Sequence, residues 1–531
     1  MILVALIAGT VGCGGAQAQY ALSISHSSGG NVTLPGTGTF TYPAGAIVLL
    51  EAVPADGYVF VNWSGNVSTV DDVTAANTTI TMNGNYFVTA NFVQGQPIRT
   101  WYDLSAINNN LSGSYVLMNA LDSSTPGYTE LASPAANNGT GWEPIGVFAG
   151  TFYGQGHEIR DLFINRSGNE SRNNVGLFDC VNGTIKDTSV VNANVTGWSG
   201  VGALAGGNLG TVSDCYSTGT VTGTQLVGGL VGRNDGTMSS CYVACNLTSM
   251  YTVGGLTAFN LGTVINSHYN YDDVLINGEK LISLGALFNA DFEEWLANGK
   301  FLDVNEKLSE GGGYYLINNI NDFKQLLAFG QNASLKFRLT NNLDLAGQPN
   351  LYVPYLAGEF DGDGHIISNV TILTLNFSHV CGVGLFGWLA PGGGVHDLGV
   401  ENVNTTGGYG VGGLVGMSFG TVTNSYAIGS LVGDYYVGGL VGRNEGTASN
   451  SYSAGNVTGT AEFGQWVGGL VGGNFGAVSN SYSAGNVTGN SYLGGLVGDG
   501  DPSSVNNSFW DTQTSGQPTS DGGTSENTTQ M

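Results

Sequence analysis

VGGLVGGNFGAVSNSYSAGNVTGNSY, residues 467–492, decides the fold. It reads as three short β segments, VGGLVG, AVSNSYS and NVTG, punctuated by Gly-Asn, Phe-Gly and Ala-Gly turns. Working outward, the same word recurs at fixed spacing. VGLFDCVNGTI begins at Val175, VGALAGGNLGTV at Val201, VGGLVGRNDGTM at Val227 and VGGLTAFNLGTV at Val253, in steps of 26 residues. A second array begins at Val383 and continues at Val411, Val437, Val467 and Leu493, in steps of 28, 26, 30 and 26. The longer steps hold small insertions, such as residues 461–464. A unit this short cannot bury its own apolar face. Stacked in register, each segment pairs with its copy in the next coil, and Val and Leu form one continuous core. The expected fold is all-β: a parallel β-helix or β-solenoid in two tandem blocks. Nine units at ~4.8 Å each predict a rod of roughly 43 Å before caps.

Such a stack predicts ladders. Asn208, Asn234, Asn260, Asn444 and Asn474 share one coil position, with Ser418 the exception; stacked amides bond one another along the axis. Tyr216, Tyr242, Tyr426, Tyr452 and Tyr482 share another, with His268 and Phe509 in the same slot. That slot wants a flat ring, so packing is its first reading and a ligand-stacking strip its second. Cys215 and Cys241 are equivalent in adjacent coils, which leaves two readings open: a disulfide, or two buried thiols where other coils have Ser.

A larger duplication surrounds the arrays. GTFYGQGHEI (150–159) precedes the first and GEFDGDGHII (358–367) the second, each preceded by a short helix-then-strand pattern that covers an exposed edge. Residues 272–311 are charge-rich and contain LFNADFEEWLANG, an amphipathic helix expected to connect or cap the blocks. Upstream, the segment 20–93 lacks the unit and alternates as in GTFTYPAGAIVLLEAV, with Trp63 the expected core anchor of a small β-rich domain. The apolar run 2–8 and Ala16-Gln17-Ala18 read as a leader, with lipid attachment at Cys13 and no processing as the alternatives. The expected organisation is therefore a signal peptide at 1–18, the β domain at 19–95, the first solenoid block with its N-terminal cap at 96–271, a helical connector at 272–311, the second block with its cap at 312–512, and a tail at 513–531.

Composition narrows the function. Only 10% of the 531 residues are charged, 87 are glycine, and the net charge is −26 from 13 basic and 39 acidic side chains. Nucleic acid and anionic membrane surfaces need clustered Lys and Arg, so neither is an expected partner. No segment of the mature chain is long and apolar enough for a transmembrane helix. The six cysteines include no CxxC pair, which removes zinc-ribbon and thioredoxin chemistry.

The best chemical constellation is Asp361-Gly362-Asp363-Gly364-His365, two carboxylates and a histidine suited to calcium or acid–base work. The duplication is an internal control. The first copy has Tyr153 and Gln155 at the two Asp positions and keeps only Gly154, Gly156 and His157. A glycine turn is thus the shared requirement. Arg233 with Asp235, and Arg443 with Glu445, are equivalent turn pairs, read first as local pairs that contribute little if exposed and second as a recurring binding determinant. The sequons at Asn194, Asn246, Asn456 and Asn486 follow the repeat. No catalytic, cofactor-binding or metal-binding residue is assigned and no cofactor is expected.

On these residues, VGGLVGxNxG followed by NSYSAGNVTG resembles the GLUG motif of bacterial and archaeal surface proteins, over most of 175–271 and 383–511. The resemblance implies a β-helix-like stalk or adhesin region. The motif also accompanies immunoglobulin A peptidases, whose HExxH zinc site has no counterpart: His157-Glu158 runs on into Ile159-Arg160. Residues 20–93 resemble the divergent B-repeat of internalin-type surface proteins through GYVFVNW and YFVTANF, which implies a β-grasp-like spacer in an exported protein. SFWDTQTSGQPTSDGGTSENTTQM resembles a segment that closes GLUG arrays. The expectation is an extracellular or cell-surface repeat protein, not an enzyme, acting as adhesin, ligand binder or stalk toward a glycan or protein. The alternatives are a polysaccharide lyase or hydrolase built on a β-helix, and a non-catalytic fragment of a larger surface protein. A binder is expected to expose aromatics or insertions on one face, and residues 461–466 are the first place to look.

Overall fold

The computed structural model describes residues 17–167, 173–374, 381–460 and 464–531. Nearly all of the leader and Cys13 lie outside the described residues, as do residues 461–463 of the insertion. The fold is all-β, with 51% strand and 9% helix, and its solenoid has about 13 turns. Contacts divide the chain into two compact units, Met1–Ile98 with Gly113–Met118, and Arg99–Ser112 with Asn119–Met531.

In the first unit, Gln19–His26 pairs antiparallel with Gly38–Pro43 and parallel with Tyr86–Gln94, which also pairs antiparallel with Tyr58–Gly65. Ile47–Pro54 is flanked antiparallel by Gly30–Leu34 and Asn77–Thr81. Alternation buries Leu22, Ile24, Val48, Leu50, Val88 and Ala90 on one side. Trp63 anchors this core at 2% exposure, and its Nε1–H donates to the Ala75 carbonyl at 3.0 Å.

In the second unit the register follows the repeat. Val175 pairs with Val201, Val201 with Val227 and Val227 with Val253. Val383 pairs with Val411, then Val437, Val467 and Leu493. Each coil turns its central leucine inward, and Leu204, Leu230, Leu256, Leu414, Leu440, Leu470 and Leu496 are all at 0% exposure. Each such side chain contributes about 2 kcal/mol of burial.

Two expectations need correction. The AVSNSYS segment is two strands, not one: Ala477–Ser479 and Tyr482–Ser483 there, and Thr237–Ser239 and Tyr242–Ser249 in an earlier coil. The SNSY word contains a corner in which Asn or Asp takes a left-handed conformation, as at Asp187, Asp214, Asn424, Asn450 and Asn480, all with φ of 49–55°. Their short polar side chains tolerate that region. The coils also outnumber the nine legible units, because the capping segments are coils themselves. Thr151–Tyr153 pairs in parallel with Thr184–Lys186, and Lys336–Leu339 with Glu359–Asp361 and then Gly394–His396.

Glycine in the NxG word has a steric cause. A Cβ at Gly446 would lie 2.0 Å from the Gly420 carbonyl oxygen of the preceding coil, and at Gly476 2.1 Å from that of Gly446.

The connector carries the helix Asn289–Ala297, with Phe292 and Trp295 buried. Trp295 meets His268 edge to face at 5.0 Å and donates from Nε1 to Asn266 at 2.7 Å, so the helix covers the last coil of the first block. The Tyr352 hydroxyl donates to the Ile282 carbonyl of the connector at 2.7 Å, and Phe259 of the first block meets Trp388 edge to face at 5.7 Å, tying both to the second block.

Candidate functional site

The buried amide ladder forms as expected. Asn208 Nδ2 donates to Asn234 Oδ1 at 2.7 Å, and Asn234 Nδ2 to Asn260 Oδ1 at 2.6 Å. In the second block Asn444 donates to Asn474 at 2.8 Å, and Asn474 to Ser504 at 2.8 Å. The tyrosine column also forms. Tyr216 stacks on Tyr242 at 4.5 Å, Tyr426 on Tyr452 at 4.8 Å and Tyr452 on Tyr482 at 4.9 Å, with planes within 7°. Those ring faces are occupied by each other, which makes the column structural.

Cys180, Cys215, Cys241, Cys245 and Cys381 are free thiols. Cys215 and Cys241 are fully buried and donate to the carbonyls of Ser213 and Ser239 at 3.1 and 3.2 Å. Ser451 makes the same bond to Ser449 at 2.7 Å, so the two thiols occupy serine slots. Burial pushes the Cys215 thiol well up. The sequon residues Asn194, Asn246, Asn456 and Asn486 are all exposed.

The structure separates the residues of the DGDGH word. Asp361 is buried at 6% exposure, and Arg338 binds its Oδ2 through Nε at 2.9 Å and a terminal nitrogen at 2.8 Å. Asp363 has φ of 49° at the turn, and its N–H donates to Asp361 at 2.8 Å. His365 points away, its Nδ1 3.3 Å from the Asn342 side-chain oxygen. His396 takes the place expected of His365: its Nδ1 lies 2.8 Å from Asp397 and 3.5 Å from Asp361, and its Nε2 lies 3.2 Å from Glu359. Glu359 also receives Lys336 at 2.8 Å and the Tyr314 hydroxyl at 2.9 Å. Arg338, Asp361 and His396 are one column of paired strands, visible only once the capping coils are recognised.

Charges in this cluster satisfy one another. Burial works to raise the Glu359 carboxyl, but bonds from Lys336, Tyr314 and His396 outweigh it and hold the group down at about 2. Burial works to lower His396, but Asp397 and Glu359 reverse this and raise it. Asp361, His396 and Asp397 are the described cluster that comes nearest to a metal-ligand set. Arg338 is bound to the most buried of these carboxylates, and a guanidinium there opposes a cation electrostatically.

The turn pairs form as read. Arg233 Nε lies 2.6 Å from Asp235, and Arg443 Nε 3.0 Å from Glu445. Arg443 also donates to the Tyr409 hydroxyl at 2.9 Å and lies over two rings, Phe475 at 4.8 Å and Tyr436 at 5.3 Å.

Those rings belong to a second aromatic column in the second block, which runs from the buried Tyr436, at 9% exposure, toward the surface. Tyr436 stacks on Trp466 at 4.7 Å with planes 12° apart, and Trp466 on Tyr492 at 5.9 Å and 26°. Tyr409 meets Tyr436 edge to face at 5.1 Å, and Phe475 stands at 72° to Tyr436. Tyr492 is 57% exposed and Phe475 48%. The expected insertion site thus contributes Trp466, while Tyr436 and Tyr492 were missed. Tyr436, Trp466 and Tyr492 each directly precede the Val-Gly-Gly or Leu-Gly-Gly word, and that spacing is the signal that would have found them.

Comparison with known proteins follows the same division. The family model "Divergent InlB B-repeat domain" matches residues 20–96, and "The GLUG motif" matches 199–222 and 433–458. Halomucin of Haloquadratum walsbyi is 36% identical over 126 residues, 22% of this chain; the match spans about 1% of halomucin's own length. A putative immunoglobulin A1 protease from Bacteroides ovatus aligns over 78% of this chain and 84% of its own, at 12% identity and a TM-score of 0.23, too low to carry an argument. The chain carries a divergent InlB B-repeat domain followed by a β-solenoid with GLUG motifs.

Proposed function

We propose that this is a cell-surface repeat protein of the extracellular space, presenting an adhesive or ligand-binding surface on a solenoid and catalysing no reaction. One observation carries the reading. The in-register stack neutralises its most compact ionisable cluster, Glu359, Asp361, His396 and Asp397, with Lys336 and Arg338, while the second block exposes Tyr492 and Phe475 at the end and flank of an aromatic column. Paired carboxylates serve a glycosidase when one is protonated and the other free to approach a sugar. Here Glu359 is held ionised by its partners. The B-repeat domain, the GLUG motifs and the halomucin similarity support a surface location. Among the described residues no helix is long and apolar enough to cross a membrane.

The test has two arms. Antibody labelling and protease shaving of intact cells should detect the chain at the surface, and signal only after lysis would contradict that. The purified chain, incubated with polysaccharides, should release no new reducing or unsaturated ends; product formation would establish an enzyme.

A further inference from the structure

The second aromatic column lies at a backbone position that disfavours its side chains. The residue before the Val-Gly word has positive φ in most coils, 58° at Gly200, 78° at Gly382 and 70° at Gly410, with Thr252 before Val253 the exception. Glycine adopts that region freely. Tyr436, Trp466 and Tyr492 adopt it at 55°, 59° and 54°, as does Leu226 at 51°. Equivalent coils of the first block have Asn174, Gly200 and Leu226, so the coil itself has no need of a ring here. What sets the second block apart is a run of three successive rings at this position, ending in Tyr492 at 57% exposure, which suits a surface purpose.

The surroundings fit that purpose. Gly473 has no Cβ, and the Tyr436 ring fills the space where one would stand, 2.4 Å away. Tyr436 is thereby laid against the sheet as a platform for Trp466. Beside the rings run Arg443, Gly473 and Asp499, paired in sequence across three coils. Arg443 is held by Glu445 and Tyr409, which leaves Glu445 and Asp499 against one already paired cation.

We propose that Trp466, Tyr492 and Phe475, seated on the buried Tyr436 with Arg443 at their flank, bind an uncharged polysaccharide chain lying along the solenoid axis. Stacking occupies the faces between these rings, so the exposed apolar surface of Tyr492 and Phe475 meets the C–H groups of sugar rings, and the flanking phenol, guanidinium and carboxylates bond their hydroxyls. Successive coils repeat at ~4.8 Å, comparable to one sugar of an extended chain. The local carboxylates and the net charge of −26 oppose uronic acids and sulfated sugars. This inference rests on the proposed role as a surface binder and names its ligand class.

The experiment is native affinity electrophoresis of the full chain in gels containing hydroxyethylcellulose, galactomannan or dextran, with alginate and hyaluronan as acidic counterparts. The expected result is retardation by at least one neutral polysaccharide. Trp466→Gly and Tyr492→Gly should each raise the apparent Kd at least about tenfold. Their melting curves should stay in place, because glycine relieves the backbone strain as it removes the ring. Leu226→Gly, at the same position of the first block, should bind as wild type. A purely structural role predicts lower melting temperatures for the two ridge variants and unchanged binding. Retardation by acidic gels alone, by none, or equally for Trp466→Gly would overturn the proposal, as would saturable binding of a proline-rich peptide at the ridge in its place. A chain that labels intact cells yet ignores every neutral gel defeats the ligand assignment alone. A chain absent from the surface defeats the broader reading, whatever the gels show.

Discussion

Replacing Asn234 by alanine should destabilise the first block by about 3–5 kcal/mol. Asn234 is at 0% exposure, accepts from Asn208 at 2.7 Å and donates to Asn260 at 2.6 Å. Each lost bond is worth about 1 kcal/mol net, and a buried acceptor left without a donor costs about 1–3 kcal/mol more. Asn260 Oδ1 is that acceptor; Asn208 Nδ2 keeps the Thr237 carbonyl at 3.2 Å. Asn234→Ser should cost about half as much, since Ser418 occupies the equivalent slot at 0% exposure. Urea unfolding gives the magnitude, and hydrogen exchange read by mass spectrometry gives the location. Solenoid coils couple to their nearest neighbours, so protection should fall at Ala205–Asn208 and Thr257–Asn260 and stay unchanged in the second block. A cost under about 1 kcal/mol, or serine as damaging as alanine, would refute the argument that the ladder stabilises the stack.

Gly446→Ala should cost about 3 kcal/mol, because its Cβ would meet the Gly420 carbonyl at 2.0 Å and backbone cannot yield as a side chain does; an unchanged melting temperature would contradict that close approach. Cys215→Ser and Cys241→Ser should each cost under about 1 kcal/mol, since serine makes the same bond in other coils, and the native chain should leave both thiols unlabelled by a thiol reagent until unfolded. Around Glu359 the pH dependence has a defined sign. Its folded value of about 2 lies below the ordinary 4.5, so its contribution is present above 4.5 and fades as pH falls toward 2; Glu359→Gln should flatten that acid limb in pH-dependent urea unfolding. His396 is raised, so its contribution is complete below 6.5 and is lost as pH rises through its folded value; His396→Asn should remove that loss, and an unchanged profile would show the cluster uncoupled from stability.

Much of this was legible in residue spacing. A 26-residue step places Val201 opposite Val227 because a coil of constant length returns each side chain to its own column, and the Asn and Tyr ladders follow from the same arithmetic. The capping coils escaped because their steps differ: Thr151 pairs with Thr184, and Glu359 with Gly394, across intervals that no repeated word marks. That is why Asp361 was read with its neighbours Asp363 and His365 instead of with His396. The break within AVSNSYS was hidden for another reason. SNSY has the composition of a continuous strand, and only the left-handed Asn or Asp turns it into a corner. The aromatic column could be aligned but not interpreted from the sequence, since positive φ at Tyr436 and Trp466 is a property of the backbone.

The most direct test combines binding and turnover on one sample. The full chain is titrated with the neutral polysaccharide that retards it most, and the same mixture is assayed for new chain ends. The account predicts saturable binding, weakened by Trp466→Gly, with the polysaccharide recovered intact. Cleavage of the polysaccharide, or binding indifferent to Trp466, would contradict it.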